Sequence, residues 1–124
     1  MTVYLLDSHP LLWWATAPGR LNERSRDAIG SGQVFVSVAS VWEIAIKRAS
    51  GKLKCPDDMP GLLRANAFRV IDISMGHALT AAALPRIHGD PFDRMLVAQC
   101  QSEGMTLVTC DGVLAGYGIP LLAA

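Results

Sequence analysis

The chain has 124 residues, 51% of them apolar, enough for one domain that buries a core rather than staying disordered. Eleven Lys and Arg cancel eleven Asp and Glu, which excludes a protein held mainly by polyphosphate charge, so any nucleic acid is met at a local site. Cys55, Cys100 and Cys110 are odd in number and lack C-x-x-C spacing, which excludes a disulfide framework or zinc knuckle and leaves buried or partly buried free thiols in a reducing cytoplasm. No targeting segment is expected, because the chain runs straight into TVYLLD; the longest apolar stretches, around LLWWA and VLAGYGIPLLAA, are far below a membrane span.

In chain order, VYLL (3–6) is an apolar run ending at Asp7, as a buried parallel strand should be. SHPLLWWAT reads as a helix stopped near Pro18-Gly19. LNERSRDAIGSG places Leu21, Ala28 and Ile29 at helical spacing and ends at glycine. QVFVS (33–37) is the next strand. From Ser40, VWEIAIKRASGKL carries apolar residues at 41, 44, 45 and 49, with Gly51 just past the helix end. KCPDDMPGLLRANA (54–67) begins as a loop and becomes a short helix, RVIDIS (69–74) is a brief strand, and MGHALTAAAL (75–84) is a helix closed by Pro85. After the connector PRIHG, DPFDRMLVAQCQSEG forms a helix ending at Gly104, with Asp90 as its cap and Pro91 in its first position. MTLVT (105–109) is a strand leading into Cys110-Asp111-Gly112; VLAGYG is a short helix or turn, and IPLL a terminal edge strand. Short strands alternating with helices predict an α/β fold: one three-layer α/β/α sandwich over residues 1–124, on a mainly parallel sheet of roughly five strands.

Sites in open parallel sheets collect at the carboxyl ends of the strands. Asp7 follows the first strand, Asp111 follows MTLVT, and Glu43 is expected in the first turn of the helix after QVFVS. Asp90 and Asp93 open the helix that leads into MTLVT, and reach the same edge if the preceding connection brings them there. Each acid also has a local explanation. Ser40-Val41-Trp42-Glu43 fits the capping box S-x-x-E, Asp7 can cap before Pro10, Asp111-Gly112 is a turn dipeptide, and Asp90 and Asp93 suit a helix start. Brought together, however, these carboxylates repel, and a hard cation such as Mg²⁺ or Mn²⁺ relieves the repulsion; such a site can position water for displacement at phosphorus.

The blocks LLDSHPLLWW, SVASVWEIAIKRASGKL, HGDPFDRMLVAQC and LVTCDGVLAGYGI, in that order between residues 5 and 119, resemble the PIN-domain ribonucleases, specifically the VapC-type toxins of bacterial type II toxin–antitoxin pairs. The resemblance implies a five-stranded parallel sandwich with an acidic pocket for Mg²⁺ or Mn²⁺. It carries the metal-site acids onto Asp7, Glu43, Asp93 and Asp111, with Asp7 and Asp93 first as direct ligands and Glu43 and Asp111 direct or through water. It also implies hydrolysis of single-stranded or looped RNA, a small antitoxin protein as partner, and a homodimer or toxin–antitoxin hetero-oligomer, with no membrane. Ser8 stands where threonine is commoner and keeps the hydroxyl. Cys110 fills a position that is often basic.

Around these acids, Lys47 reads equally as an i,i+4 partner of Glu43 or as a pocket cation touching RNA. Arg94 is a candidate phosphate contact, though a solvated helix face explains it too; Arg86, His88, Lys52 and Lys54 read as solvated surface. His9 is expected to pack, Trp42 to lie in the core, and one of Trp13 and Trp14 to be exposed as an interface anchor. The rival readings are an inactive PIN-like binding module whose acids only cap helices, and a nuclease directed at DNA.

Overall fold

In a computed structural model covering residues 1–124, the sheet is built from β1 (Val3–Leu6), β2 (Gln33–Ser37), β3 (Arg69–Ile71), β4 (Thr106–Thr109) and β5 (Leu121–Ala123), in the order β3-β2-β1-β4-β5. All four pairings are parallel. The helices are α1 (Ser8–Thr16), α2 (Glu23–Ser31), α3 (Val38–Ala49), α4 (Met59–Ala65), α5 (Met75–Ala83) and α6 (Pro91–Glu103), with 3-10 turns at Pro18–Arg20 and Gly112–Tyr117. The α/β class, the five-stranded parallel sheet and every expected helix are therefore present. The third strand stops at Ile71 rather than running to residue 74, and the last starts at Leu121 rather than Ile119.

Alternation along the central strands sorts the core into two layers. Leu6, Val34, Val36 and Val108 point to one face, where Leu11, Leu12, Ile29, Ile44 and Leu63 cover them. Leu5 and Leu107 point to the other, against Leu96, Val97, Cys100 and Leu114. Strands buried on both faces must be nearly all apolar, which is why Leu5-Leu6 and Leu107-Val108 at the sheet centre carry no polar alternate. The α6 helix ends at Gly104, whose φ of 70° lies in the left-handed region that glycine enters without strain.

The chain steps outward from β1 to β2 and β3, then returns to the other side of β1 for β4 and β5. The direction of winding thus reverses between β1 and β4, and in such sheets a crevice opens there, outside the carboxyl ends of the strands. Asp7 follows β1 directly, and Asp111 lies two residues beyond β4. Because α6 runs back antiparallel to β4, its first turn, carrying Asp90 and Asp93, also lies at this edge.

Candidate functional site

Asp7 is the N-cap of α1: its Oδ1 accepts from the Ser8 N–H at 2.7 Å. Its Oδ2 accepts from the Thr109 hydroxyl, also at 2.7 Å, so β1 and β4 are tied together across the crevice. The side chain is buried, and burial raises its pKa above the ordinary carboxylate value, opposed by the Thr109 and Ser8 hydrogen bonds. Glu43, also buried, is held at both oxygens. The Ser8 hydroxyl donates to Oε1 at 2.6 Å and the Lys47 ammonium to Oε2 at 3.0 Å. That contact raises the Lys47 pKa and keeps the amine charged.

Asp90 caps α6 by accepting from the Phe92 and Asp93 N–H groups at 2.8 and 3.3 Å, with Pro91 in the first turn. Asp111 caps the following 3-10 turn through the Val113 N–H at 3.1 Å. Asp93, one turn into α6, has neither job. No donor lies within hydrogen-bond distance of its carboxylate; His88 Nε2 stands 3.6 Å away. Its side chain is only 14% exposed, and burial, then the charges of Asp7 and Asp90, pushes its pKa up to about 7. Together Asp7, Glu43, Asp90, Asp93 and Asp111 line a cleft of about 210 Å³ with Lys47, His9 and Cys110. Carboxylate oxygens crowded around one lysine form a donor set that suits a hard divalent cation.

Residues 4–119 match the PIN-domain family. The chain is also 33% identical to Ribonuclease VapC22 of Mycobacterium tuberculosis over 124 residues, covering 97% of this chain and 95% of that one. This chain is a PIN-domain protein of the VapC type. Among solved structures, VapBC2 of Rickettsia felis bound to a DNA fragment from its promoter superposes with a TM-score of 0.71 at 15% identity, covering 98% of each chain. DNA-bound VapBC of Salmonella typhimurium does so with a TM-score of 0.71 at 18% identity, covering 99% of this chain and 98% of that one. At such identities the likeness is one of fold.

Within this PIN domain the crevice gathers the four expected acids, Asp7, Glu43, Asp93 and Asp111, with Lys47, while Ser8 is buried against Glu43. Arg94 is not among them. Its guanidinium turns away from the cleft and donates to the carbonyls of Ala81, Leu84 and Pro85, each at 2.9 Å, closing the end of α5 and the connector behind it. There it meets carbonyls that the end of α5 leaves without intrahelical donors. Arg94→Met is expected to lower stability by about 1–3 kcal/mol in urea melts, since the part-buried carbonyls of Ala81 and Leu84 lose a charged donor. A loss below about 0.5 kcal/mol, as at an ordinary surface site, would refute this role.

Other expectations are corrected. The capping box at Ser40 does not exist: Ser37, the last residue of β2, caps α3 through the Ala39 N–H at 3.0 Å. The helix therefore starts earlier, which moves Glu43 into its second turn and turns it inward beside Ala39, Ser40 and Ile44. Ala45 and Ala49, assigned to the apolar face, are exposed. Trp42 is not core but 62% exposed, its ring edge-on to Phe92 at 5.3 Å beside an apolar hollow with Ile73 and Met95. Conversely Trp13 and Trp14 are both half-buried: Trp14 donates to Asn66 Oδ1 at 3.0 Å, and Arg20 covers the Trp13 face at 4.7 Å. His9 is exposed at the cleft rim and Cys110 is exposed rather than partly buried.

Two residues that sequence reasoning passed over hold the acids in place. Thr109 tethers Asp7, and nothing marks it beyond its position as the last residue of β4. His88, read as solvated surface, is half-buried with Nε2 2.9 Å from Asp111 Oδ2. Its only signal is the position two residues before the Asp90 cap.

Proposed function

We propose that this protein is a Mg²⁺- or Mn²⁺-dependent endoribonuclease, the toxin of a toxin–antitoxin pair, acting in the cytoplasm on RNA phosphodiester bonds. The observation that carries the reading is Asp93: a carboxylate in the acid cleft with no protein donor, its pKa pushed up to about 7 by burial and by neighbouring acids. A carboxylate serving only as a helix cap has its oxygens tied to backbone N–H groups, as Asp90 does. An inactive binding module gives no account of this difference.

Asp7 and Asp93 would hold the cation directly, with Glu43 and Asp111 joining directly or through water. When bound, such an ion activates water and offsets the charge that builds on the phosphorus centre. The chain's own residues supply pre-organisation. Ser8 and Lys47 fix the two oxygens of Glu43, Thr109 and the Ser8 N–H fix those of Asp7, and the Pro-capped first turn of α6 aims Asp93. The Lys47 ammonium, 42% exposed at the cleft, is left able to face an incoming phosphate. Attack of water on phosphorus breaks one P–O ester bond, and the leaving oxygen takes a proton from solvent.

Support from relatives is consistent with this chemistry: the 33% identical relative is a ribonuclease, and one solved neighbour in fold is a toxin–antitoxin complex from Klebsiella pneumoniae. The partner is accordingly a small antitoxin protein that blocks the cleft, in a homodimer or hetero-oligomer. No helix is long and apolar enough to cross a membrane.

Purified protein freed of antitoxin should cleave structured RNA in Mn²⁺ and stop in chelator, while matched DNA stays intact. Cleavage that persists in chelator removes the metal; cleavage of DNA alone makes DNA the substrate.

A further inference from the structure

His88 sits in the connector between α5 and α6, and every polar atom of it is engaged. Its backbone N–H donates to the Tyr117 hydroxyl at 2.9 Å, and that hydroxyl donates back to the His88 carbonyl at 3.3 Å. The ring Nδ1 accepts from the Asp90 N–H at 3.0 Å. A backbone amide can only donate, so Nδ1 must present its lone pair and the proton of a neutral ring must sit on Nε2. Nε2 lies 2.9 Å from Asp111 Oδ2 and 3.6 Å from Asp93 Oδ2.

We propose that His88 is a positioning residue of the acid cleft: its Nε2–H donates to Asp111 and holds that carboxylate beside Asp93, and the ring is neither a metal ligand nor an RNA contact. The nitrogen that faces the acids has its lone pair committed to an N–H bond, so it cannot ligate a cation. The other nitrogen is committed to the α6 cap. One imidazole thereby links the Asp90 cap of α6 to both ends of the 3-10 turn, Asp111 and Tyr117. His88, Asp93 and Asp111 do present one potential ligand atom each within 4.8 Å of one another, so a site with histidine ligation is the competing arrangement, and the Asp90 N–H decides against it. As a consequence, Asp111, a third exposed and already bound at Oδ1 by the Val113 N–H, has its second oxygen fixed on the side of the α6 acid. This role rests on the metal-dependent reading of the cleft.

Substitutions separate the two nitrogens. Gln can reach Asp111 with a donor like Nε2–H, whereas Ala supplies nothing. Outer partners of metal-binding side chains typically contribute about 10–100-fold in metal affinity. His88→Ala is therefore expected to weaken Mn²⁺ binding, followed by electron paramagnetic resonance, by about 10–100-fold, and His88→Gln to restore it to within about threefold of the parent. In the ¹⁵N-labelled full chain, the His88 ring should show a pyridine-like Nδ1 and a pyrrole-like Nε2, both unchanged as Mg²⁺ is added. A protonated Nδ1, an Nε2 resonance that loses its proton on Mg²⁺ addition, a Gln variant as weak as Ala, or an Ala variant that binds as well as the parent overturns the proposal. The ring resonances are read on the unaltered protein, so a poorly folding Ala variant does not blunt the test. If the tautomer and the Gln rescue hold while no RNA is cleaved, the positioning role stands and the nuclease reading fails.

Discussion

Replacing Asp93 with Asn should lower RNA cleavage at least about 100-fold and, in metal-free protein at pH 8, make the fold more stable. The loss follows because Asp93 is a direct candidate ligand, and even outer-sphere partners of such sites contribute about 10–100-fold. The gain follows because the wild-type carboxylate must ionise while buried among Asp7, Asp90 and Glu43 without a donor. Displacing its pKa from 3.8 to about 7 sets a ceiling of roughly 4 kcal/mol on that cost, and screening by cleft water should leave on the order of 1–3 kcal/mol. Asp90→Ala should behave in the opposite way. It removes the cap of α6, costs about 1–2 kcal/mol in thermal or urea melts, and lowers cleavage far less than Asp93→Asn. Equal activity losses from the two variants, or an Asp93→Asn protein less stable than wild type without metal, would contradict the division of labour.

Stability without metal should fall as pH rises from about 4 to 7, and a divalent cation should abolish that fall. The sign follows from linkage: Asp93 binds its proton more tightly in the folded chain than in the unfolded one, so the folded state is favoured below pH 4. That advantage is lost progressively as pH climbs through the folded-state value near 7. Asp7, also raised by burial, adds in the same direction. A cation that binds only the folded state contributes RT ln(1 + [L]/Kd), about 2.7 kcal/mol at a hundredfold excess over Kd. Melting curves taken from pH 4 to 8, with chelator and with Mg²⁺, on wild type and Asp93→Asn, isolate the contribution. The chelator curve of the variant should be flatter than that of wild type, and Mg²⁺ should raise wild type most above pH 7. Parallel curves for both proteins would mean that Asp93 carries no such cost.

What could be read in the sequence was whatever local chemistry and period decide. The runs VYLL and MTLVT read as strands of a buried sheet, and the Asp90–Pro91 pair as a helix start, and both readings hold. The same local logic failed at α3. A serine three residues before a glutamate satisfies the capping-box pattern, but Ser37 precedes it at the end of β2 and captures the helix start first. Which face of a helix is buried is set by what it packs against, and the packing of α3 buries Glu43 with Ala39, Ser40 and Ile44 and leaves Trp42 and Ala45 outward. Arg94 and His88 were opaque for a related reason. Their partners are carbonyls of α5 and the carboxylate of Asp111, groups distant or featureless in sequence.

The sequence alone determined which acids were available, that they follow strands or open helices, and that Asp90 caps where Asp93 does not need to. Only the tertiary structure decided that they meet. The winding reverses between β1 and β4, so the ends of two strands and the starts of two helices share one crevice. Capping is a contact within a few residues and is written in local order. Convergence of Asp7, Glu43, Asp93 and Asp111, and the donors that hold three of them but not Asp93, depends on contacts between residues as far apart as Asp7 and Thr109.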